Sequence, residues 1–244
     1  MVNKKYTDAV SIIIPAYNEE HRIVLTLETL VRWCEPRFSG FEVICVDDGS
    51  TDRTWELIRN LEADGHLRCF RLDRNRGKGY AVAFGMRRAR GGVRFFTDAD
   101  LPYSPEAFIA SMEAFHDHGC DMVTGARDML QSEMGDRIGA VRKITGRVFS
   151  ALANRLVRMD VGDSQCGFKG FTADAAETIF PLLQTRGYAF DVEIFALARA
   201  FNYTVCRIPV RLMKQDGSKI RLAVDPFKMA LDLLKIAWRT RKRV

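Results

Sequence analysis

The chain has 244 residues, of which 47% are hydrophobic, so it can bury one sizeable core as a single domain and is not expected to be disordered. Its 37 Lys and Arg residues exceed its 31 Asp and Glu residues, and the net charge of +6 suits partners that carry phosphate. The net charge alone does not distinguish nucleotides, nucleic acids and lipid headgroups as partners.

Export and a transmembrane anchor are not expected. Residues 1–9 lack the apolar core of a signal peptide, and no apolar run approaches the roughly 18 residues that span a bilayer. The six cysteines have no CxxC spacing and are predicted to be buried thiols in a reducing cytosol, although an even number also allows disulfides. They are Cys34, Cys45, Cys69, Cys120, Cys166 and Cys206.

Strand-like and helix-like runs alternate along the first half of the chain. The predicted strands are Val10–Ile14, Val43–Val46, "LRCFRLD", "VRFFTDAD" and "CDMVTGAR". Four helices are predicted. The first contains the apolar residues Ile23, Leu27, Leu30 and Val31, and the second begins after the capping residues Ser50–Asp52. The third covers "GYAVAFGMRRA", and the fourth lies around Phe108–Phe115. A late strand is predicted at "YTVCRIPVRLM". This alternation predicts an α/β fold with a mainly parallel sheet, covered by helices on both faces.

Polar residues follow several of the predicted strands. Asp47 and Asp48 follow the second strand, Asp98 and Asp100 the fourth, and Arg127 the fifth. In open parallel sheets, ligands bind beyond the carboxyl ends of the strands. We therefore expect the functional site at this edge of the sheet.

The pair Asp98 and Asp100 has two interpretations: an acid and base that move protons, or a clamp for a metal ion. A hard divalent cation accepts carboxylate oxygens together with substrate phosphates, so it needs few protein ligands. The position at the end of a central strand favours the metal.

The segment "NRGKGYA" is not a P-loop, because no Ser or Thr follows Lys78, and it does not match the dinucleotide fingerprint. It is either a glycine-rich turn with a surface lysine, or a helix start whose amides and Lys78 face an anion. No HExxH or GxSxG pattern is present, so neither zinc chemistry nor a serine nucleophile is indicated.

Two basic amphipathic helices are predicted in the second half. The first, at about 137–158, has apolar residues at helical spacing among several arginines. The segment "GDSQCGFKGF" follows it and is either a tight turn with buried Cys166 and Phe168 or a functional segment. The last helix, Pro226 to Arg243, has a wide apolar arc, which can lie in a membrane interface or dock on the protein core or a dimer partner. The basic residues lack interleaved aromatics, so nucleic acid is not the favoured partner.

Seven motifs occur together and in order: "IIIPAYNEE", "VDDGSTD", "NRGKG", "FTDADL", "GAR", "QCGFKGF" and "GYAFDVEI". With them the chain resembles the family-two glycosyltransferases of GT-A fold, and more narrowly the polyprenyl-phosphate sugar synthases, which include the dolichyl-phosphate glucose and mannose synthases. The resemblance implies a GT-A catalytic domain over 1–215, with the acceptor-side helix at about 137–158, followed by a basic amphipathic segment at 216–244.

The resemblance also implies the site residues. Asp98 and Asp100 would hold Mg²⁺ or Mn²⁺ against the diphosphate of a nucleotide sugar, and Arg127 would face phosphate. The nucleotide sugar would contact Pro15, Ala16, Tyr17, Glu19, Asp47, Asp48, Lys78, Asp98 and Ala99. The sugar and acceptor pocket would include Arg127, Arg142, Arg147, Gln165, Cys166, Gly167, Lys169, Arg211, Lys214 and Lys219.

The resemblance also implies the donor and the acceptor. The runs "QCGFK" and "FDVE" are more typical of the glucose synthases, which favours UDP-glucose over GDP-mannose. The acceptor would be a polyprenyl or dolichyl phosphate, reached by a cytoplasmic protein attached peripherally to the cytosolic face of a membrane. Eukaryotic glucose synthases of this kind carry an N-terminal membrane helix, and this sequence has none, so the C-terminal helix is expected to supply the membrane contact. Two further hypotheses are a transferase acting on a sugar hydroxyl, with Asp191 or Glu193 as base, and a non-catalytic sensor or scaffold.

Overall fold

The computed structural model describes residues 6–61, 65–126, 166–187, 189–213, 232, 233 and 235–239. The strands are β1 (Tyr6–Ala16), β2 (Phe38–Asp47), β3 (Leu67–Arg71), β4 (Val93–Phe96), β5 (Met122–Ala126), β6 (Lys169–Thr172) and β7 (Val205–Pro209). The helices are α1 (Ile23–Cys34), α2 (Thr54–Arg59), α3 (Lys78–Met86), α4 (Glu106–His118), α5 (Ala173–Leu182) and α6 (Phe190–Ala200). The predicted strands and helices within these ranges are confirmed.

The seven strands form one sheet in the order β3-β2-β1-β4-β6-β5-β7. The pairs β1–β2, β1–β4, β2–β3 and β5–β7 are parallel, whereas β6 is antiparallel to both β4 and β5. Successive residues of β1 alternate between two buried cores, with Ile13 in one and Ile12 and Ile14 in the other. The mainly parallel sheet covered on both faces is therefore confirmed.

Strand β6 was not predicted from the sequence, where residues 162–171 suggest a turn or a functional segment. Its first residue, Lys169, pairs with Phe96 of β4 and with Thr124 of β5. Cys166 and Phe168 are buried, as one of the two interpretations of this segment predicts, and the Phe168 ring lies 5.1 Å from that of Phe108. The segment before β6 is thus packed into the core beside the carboxyl end of β4.

The prediction of six buried thiols is wrong for one pair, because Cys120 and Cys206 form a disulfide. Strands β5 and β7 are adjacent and parallel, with Val123 opposite Cys206, and this pairing brings the two Cα atoms to 6.0 Å. The other four cysteines are buried thiols. Because disulfides are rare in the cytosol, cysteine usage does not support a reducing compartment.

Part of the predicted C-terminal helix docks on the domain. Residues 232, 233 and 235–239 are helical, and Leu233 and Ile236 are buried in the core formed by α3, α5 and α6. Arg239 donates to the buried Glu193 carboxylate at 3.1 Å, whereas Trp238 is 64% exposed. The proposed boundary at 215 and 216 lies outside the described residues. Within the described parts of the chain, no helix is both long and apolar enough to cross a bilayer.

Candidate active site

Asp47 is the last residue of β2 and has a buried carboxylate. Its Oδ1 accepts a hydrogen bond from the Ser50 amide at 3.0 Å. Its Oδ2 lies 3.3 Å from Arg71 Nε, but the two atoms lack hydrogen-bond geometry, and no other described residue donates to Oδ2. A buried acceptor without a donor is unfavourable. A ligand N–H at the sheet edge could satisfy it.

Asp48 anchors the turn that leads into α3. Its two carboxylate oxygens accept hydrogen bonds from the Arg76 amide at 2.7 Å and the Gly77 amide at 2.8 Å. Burial raises the pKa of Asp48, and these two hydrogen bonds oppose the rise. The Gly79 amide donates to the Arg186 carbonyl. The Gly77 and Gly79 amides, which could have bound an anionic ligand at the start of α3, therefore already donate to acceptors within the protein.

The loops after β1 and β2 hold each other in place. The Asn18 amide donates to Ser50 Oγ at 2.9 Å, and the Thr51 amide donates back to Asn18 Oδ1 at 2.9 Å. The Glu19 amide donates to Thr54 Oγ1 at 2.8 Å. Asn18 has a φ of +53°, a conformation that asparagine tolerates better than most residues. These bonds fix the backbone that follows Tyr17.

A cleft of about 780 Å³ opens at this edge of the sheet, a size common for sites that bind small molecules. It lies at the carboxyl ends of β1, β2 and β3. Its walls are formed by Tyr17, Gly49, Ser50, Thr51, Arg71, Leu72, Asp73, Arg74 and Asn75. Of the residues predicted to contact the nucleotide, Tyr17 lines the cleft, and Pro15 and Ala16 precede it on β1.

Asp98 and Asp100 follow β4 and lie near three further charged side chains, those of Lys78, Glu19 and Arg22. Lys78 Nζ is 2.5 Å from Asp98 Oδ1. Burial raises the pKa of Asp100; the negative charges of Asp98 and Glu19 raise it further, and Arg22 opposes them. Negative charge therefore accumulates around Asp100, while Lys78 balances Asp98.

The segment from 98 to 100 has contacts on two sides. Ala99 is buried, and its carbonyl accepts a hydrogen bond from Thr26 Oγ1 at 2.6 Å. On the other side, the Asp98 carboxylate lies so close to Gly167 that a Cβ at position 167 would overlap it. A Cβ at position 167 would therefore displace the Asp98 carboxylate from this position.

Lys169 does not line an open acceptor pocket, which corrects the expectation from the sequence. Its side chain is fully buried, and Nζ lies 2.7 Å from both Asp191 Oδ1 and the Cys166 carbonyl oxygen. The rings of Phe96 and Phe195 each lie 5.5 Å from the ammonium group. Burial raises the pKa of Asp191, and the positive charge of Lys169 opposes the rise. Cys166 is likewise buried and does not face an open pocket.

The acceptor residues are only partly described. Arg211 is exposed, and its carbonyl accepts a hydrogen bond from the Ser104 amide at 3.0 Å, which places this segment beside the loop that follows Asp100. The other basic and polar candidates lie outside the described residues. They are Arg127, Arg142, Arg147, Gln165, Lys214 and Lys219.

Sequence reasoning missed several partners of the predicted site residues. Arg71 beside Asp47, the Arg76 and Gly77 amides on Asp48, and Lys169 beside Asp191 all involve residues far apart in the chain. The one usable signal was Lys169 itself, a cation between Phe168 and Phe171, since a buried lysine requires an acidic partner.

The fold is the GT-A fold of solved glycosyltransferase structures. The structure of glucosyl-3-phosphoglycerate synthase from Mycobacterium tuberculosis, in complex with Mn²⁺, UDP-glucose and phosphoglyceric acid, superposes with a TM-score of 0.69 at 15% identity, over 95% of this chain and 80% of that one. The chain belongs to glycosyl transferase family 2, whose model matches residues 11–180. It is therefore a glycosyltransferase, as the resemblance implied.

Curated relatives cover most of the chain. It is 34% identical to a dolichyl-phosphate beta-glucosyltransferase of Saccharomyces cerevisiae, over 93% of this chain and 73% of the relative. It is 31% identical to the human protein of the same name, over 96% of this chain and 76% of the relative. The Dictyostelium discoideum protein of that name is also 31% identical, over 94% of this chain and 74% of the relative.

Proposed function

We propose that this protein transfers glucose from UDP-glucose to the phosphate of a polyprenyl or dolichyl lipid, at the cytosolic face of a membrane. The names of its relatives support the sugar and the acceptor. The observation that carries the proposal is the carboxylate pair of Asp98 and Asp100 at the same edge of the sheet as the cleft of about 780 Å³, with Lys78 2.5 Å from Asp98. This arrangement fits a donor that carries a diphosphate.

The nucleotide is proposed to occupy the cleft between Tyr17 and Asn75. The Oδ2 atom of Asp47 is buried without a donor, so it is suited to accept an N–H of the base. Asp48 is already bound to two backbone amides, and we assign it the task of holding the turn that presents Lys78. Lys78 can then contact the diphosphate while remaining near Asp98.

The residues present fit a divalent cation. Asp98 and Asp100 offer hard oxygen donors, and burial together with the negative charge of Asp98 raises the pKa of Asp100. Among the described residues, no group of three or more His, Cys, Asp or Glu side chains could hold a metal ion. Mg²⁺ is commonly bound by one or two carboxylates together with substrate phosphates. When bound, Mg²⁺ or Mn²⁺ would stabilise the charge of the departing diphosphate.

The acceptor is proposed to be a phosphate because its chemistry does not need a protein base. The second pKa of a phosphate monoester is about 6, so an oxygen of the dianion can attack the anomeric carbon at neutral pH. The bond from that carbon to the diphosphate breaks, UDP leaves with the electron pair, and the configuration inverts from α to β. Asp191 and Glu193, the candidate bases for a hydroxyl acceptor, are buried and bonded to Lys169 and Arg239.

The test is a screen of nucleotide sugars against a polyprenyl phosphate, with products identified by mass. With UDP-glucose and Mg²⁺ or Mn²⁺, we expect a lipid-phosphate hexose to appear in the organic phase. Product from GDP-mannose alone would reassign the donor. Transfer only to soluble glycosides would replace the proposed acceptor by a sugar hydroxyl. No transfer from any donor, with nucleotide sugar still bound, would favour a scaffold.

Membrane contact through the C-terminal segment is part of this proposal. Leu233 and Ile236 are used by the core, so Trp238 and the exposed Lys235 are the described residues available to a lipid surface. Trp238→Ala should weaken binding to anionic vesicles severalfold in a sedimentation assay. Leu25→Ala removes a similarly exposed apolar side chain, 70% exposed on α1, and should leave vesicle binding unchanged. Equal losses in the two variants would contradict this contact.

A further inference from the structure

The buried pair Lys169–Asp191 joins three segments that meet beside Asp98. Lys169 begins β6, Asp191 lies in the first turn of α6, and the Cys166 carbonyl belongs to the segment 166–168 before β6. The Lys169 ammonium lies 2.7 Å from its acceptors in the other two segments. The contact is thus a junction between β6, α6 and the segment 166–168.

The segment 166–168 also touches Asp98. The Asp98 carboxylate packs against Gly167 with no room for a Cβ. On the far side, the Phe168 carbonyl accepts a hydrogen bond from the Gly125 amide at 3.0 Å. A shift of this segment would therefore change the space that the Asp98 carboxylate occupies.

A buried ion pair is a poor source of stability, because desolvation of both charges offsets their attraction, and apolar replacements often do as well. The role of this pair is therefore positional and does not depend on added stability. The pair fixes a segment that limits how the Asp98 carboxylate can turn.

We propose that Lys169 and Asp191 are positioning residues: they hold the segment 166–168 against Asp98 and so set the geometry in which Asp98 and Asp100 receive a divalent cation with the nucleotide diphosphate. This inference rests on the proposed function for its ligand. It assigns no contact between Lys169 and the acceptor.

The test is the double variant Lys169→Met with Asp191→Leu, which replaces the pair by apolar side chains of similar size. The first measurement is the rate at which each cysteine reacts with a thiol reagent in the folded protein, located by peptide mass. We expect Cys166 to react about tenfold faster or more, because its segment is no longer held, while the buried Cys34, Cys45 and Cys69 keep their rates. An unchanged rate at Cys166 would overturn the proposal.

The second measurement separates positioning from general loosening. The affinity for uridine without metal should stay within about twofold of the parent protein, because neither Lys169 nor Asp191 is among the residues that line the cleft. The affinity for Mn²⁺ in the presence of UDP should fall about 10–100-fold, as it does when the groups that orient metal ligands are removed. Equal losses for uridine and Mn²⁺, or no loss for Mn²⁺, would overturn the link to Asp98.

Two further variants complete the design. Arg94→Met removes a buried cation from β4, the strand that leads to Asp98, and should change neither measurement. Asp191→Asn keeps the shape of the side chain and should produce both changes to a smaller degree, which keeps the test decisive if the double variant does not fold. If the parent protein binds neither uridine nor Mn²⁺ with UDP, the proposed function fails, and the Cys166 rates alone decide whether the pair holds the segment.

Discussion

Replacing Asp100 by alanine should lower kcat/KM for metal-dependent transfer by about 10³-fold or more. Asp100 lies where negative charge accumulates, since burial, Asp98 and Glu19 all raise its pKa. A cation there would stabilise the departing diphosphate by several kcal/mol, and each 1.36 kcal/mol corresponds to about a tenfold change in rate. The measurement is the initial rate with UDP-glucose and polyprenyl phosphate over a titration of Mn²⁺.

The matched control is Asp117→Asn, which removes an exposed carboxylate from α4. Its rate should equal that of the parent protein. Uridine binding should persist in the Asp100→Ala protein, because the base is assigned to the cleft beside Asp47. A rate within about threefold of the parent would show that Asp100 does not hold a catalytic cation.

Lys169→Met should destabilise the folded protein more than any of the other single substitutions proposed above. It leaves the Asp191 carboxylate buried without its cation, and removal of one partner of a buried pair costs about 3–5 kcal/mol. For a domain of this size, that loss lowers Tm by about 6–20 °C. Differential scanning calorimetry of the two proteins measures it.

The pH dependence of this loss follows from the pKa of Asp191. Burial raises that pKa and Lys169 opposes the rise, so the variant should hold a proton on Asp191 to a higher pH than the unfolded chain does. A group with a raised pKa in the folded state becomes less favourable to folding as pH rises. The deficit of Lys169→Met should therefore grow as the pH rises above about 4, the ordinary pKa of an aspartate side chain.

Lys235→Met is the control for the loss of a lysine. The Lys235 side chain is 61% exposed and lies 3.7 Å from Asp232, so its removal should change the free energy of unfolding by less than about 1 kcal/mol. Equal Tm shifts in the two variants would contradict the importance of the buried pair.

The sequence predicted those parts of the fold that depend on local pattern. The apolar runs that became β1 to β5 and β7 are continuous and end in polar residues, so their strands and the acidic edge could be recognised. Strand β6 could not, because "KGFT" is short, contains a glycine and is stabilised only by β4 and β5. The disulfide could not be predicted for a similar reason, since its cysteines are 86 positions apart and meet only when β5 pairs with β7.

The candidate site was likewise predictable only in part. The positions of Asp47, Asp48, Asp98 and Asp100 followed from the strand ends, whereas their partners did not. Lys169 was assigned to the acceptor because a cation suits a phosphate, but burial and its contact with Asp191 give it a different role. Whether a polar side chain faces a ligand or another residue depends on packing between distant segments, which one sequence does not specify.

The antiparallel direction of β6 has a consequence for the edge that carries Asp98 and Asp100. Strand β5 ends at Ala126 on this edge, and β6 begins on the same edge because it runs the opposite way. The chain therefore leaves and re-enters the sheet beside the same two carboxylates. Two consecutive strands thus meet the proposed donor site by opposite ends, β5 with its carboxyl end and β6 with its amino end.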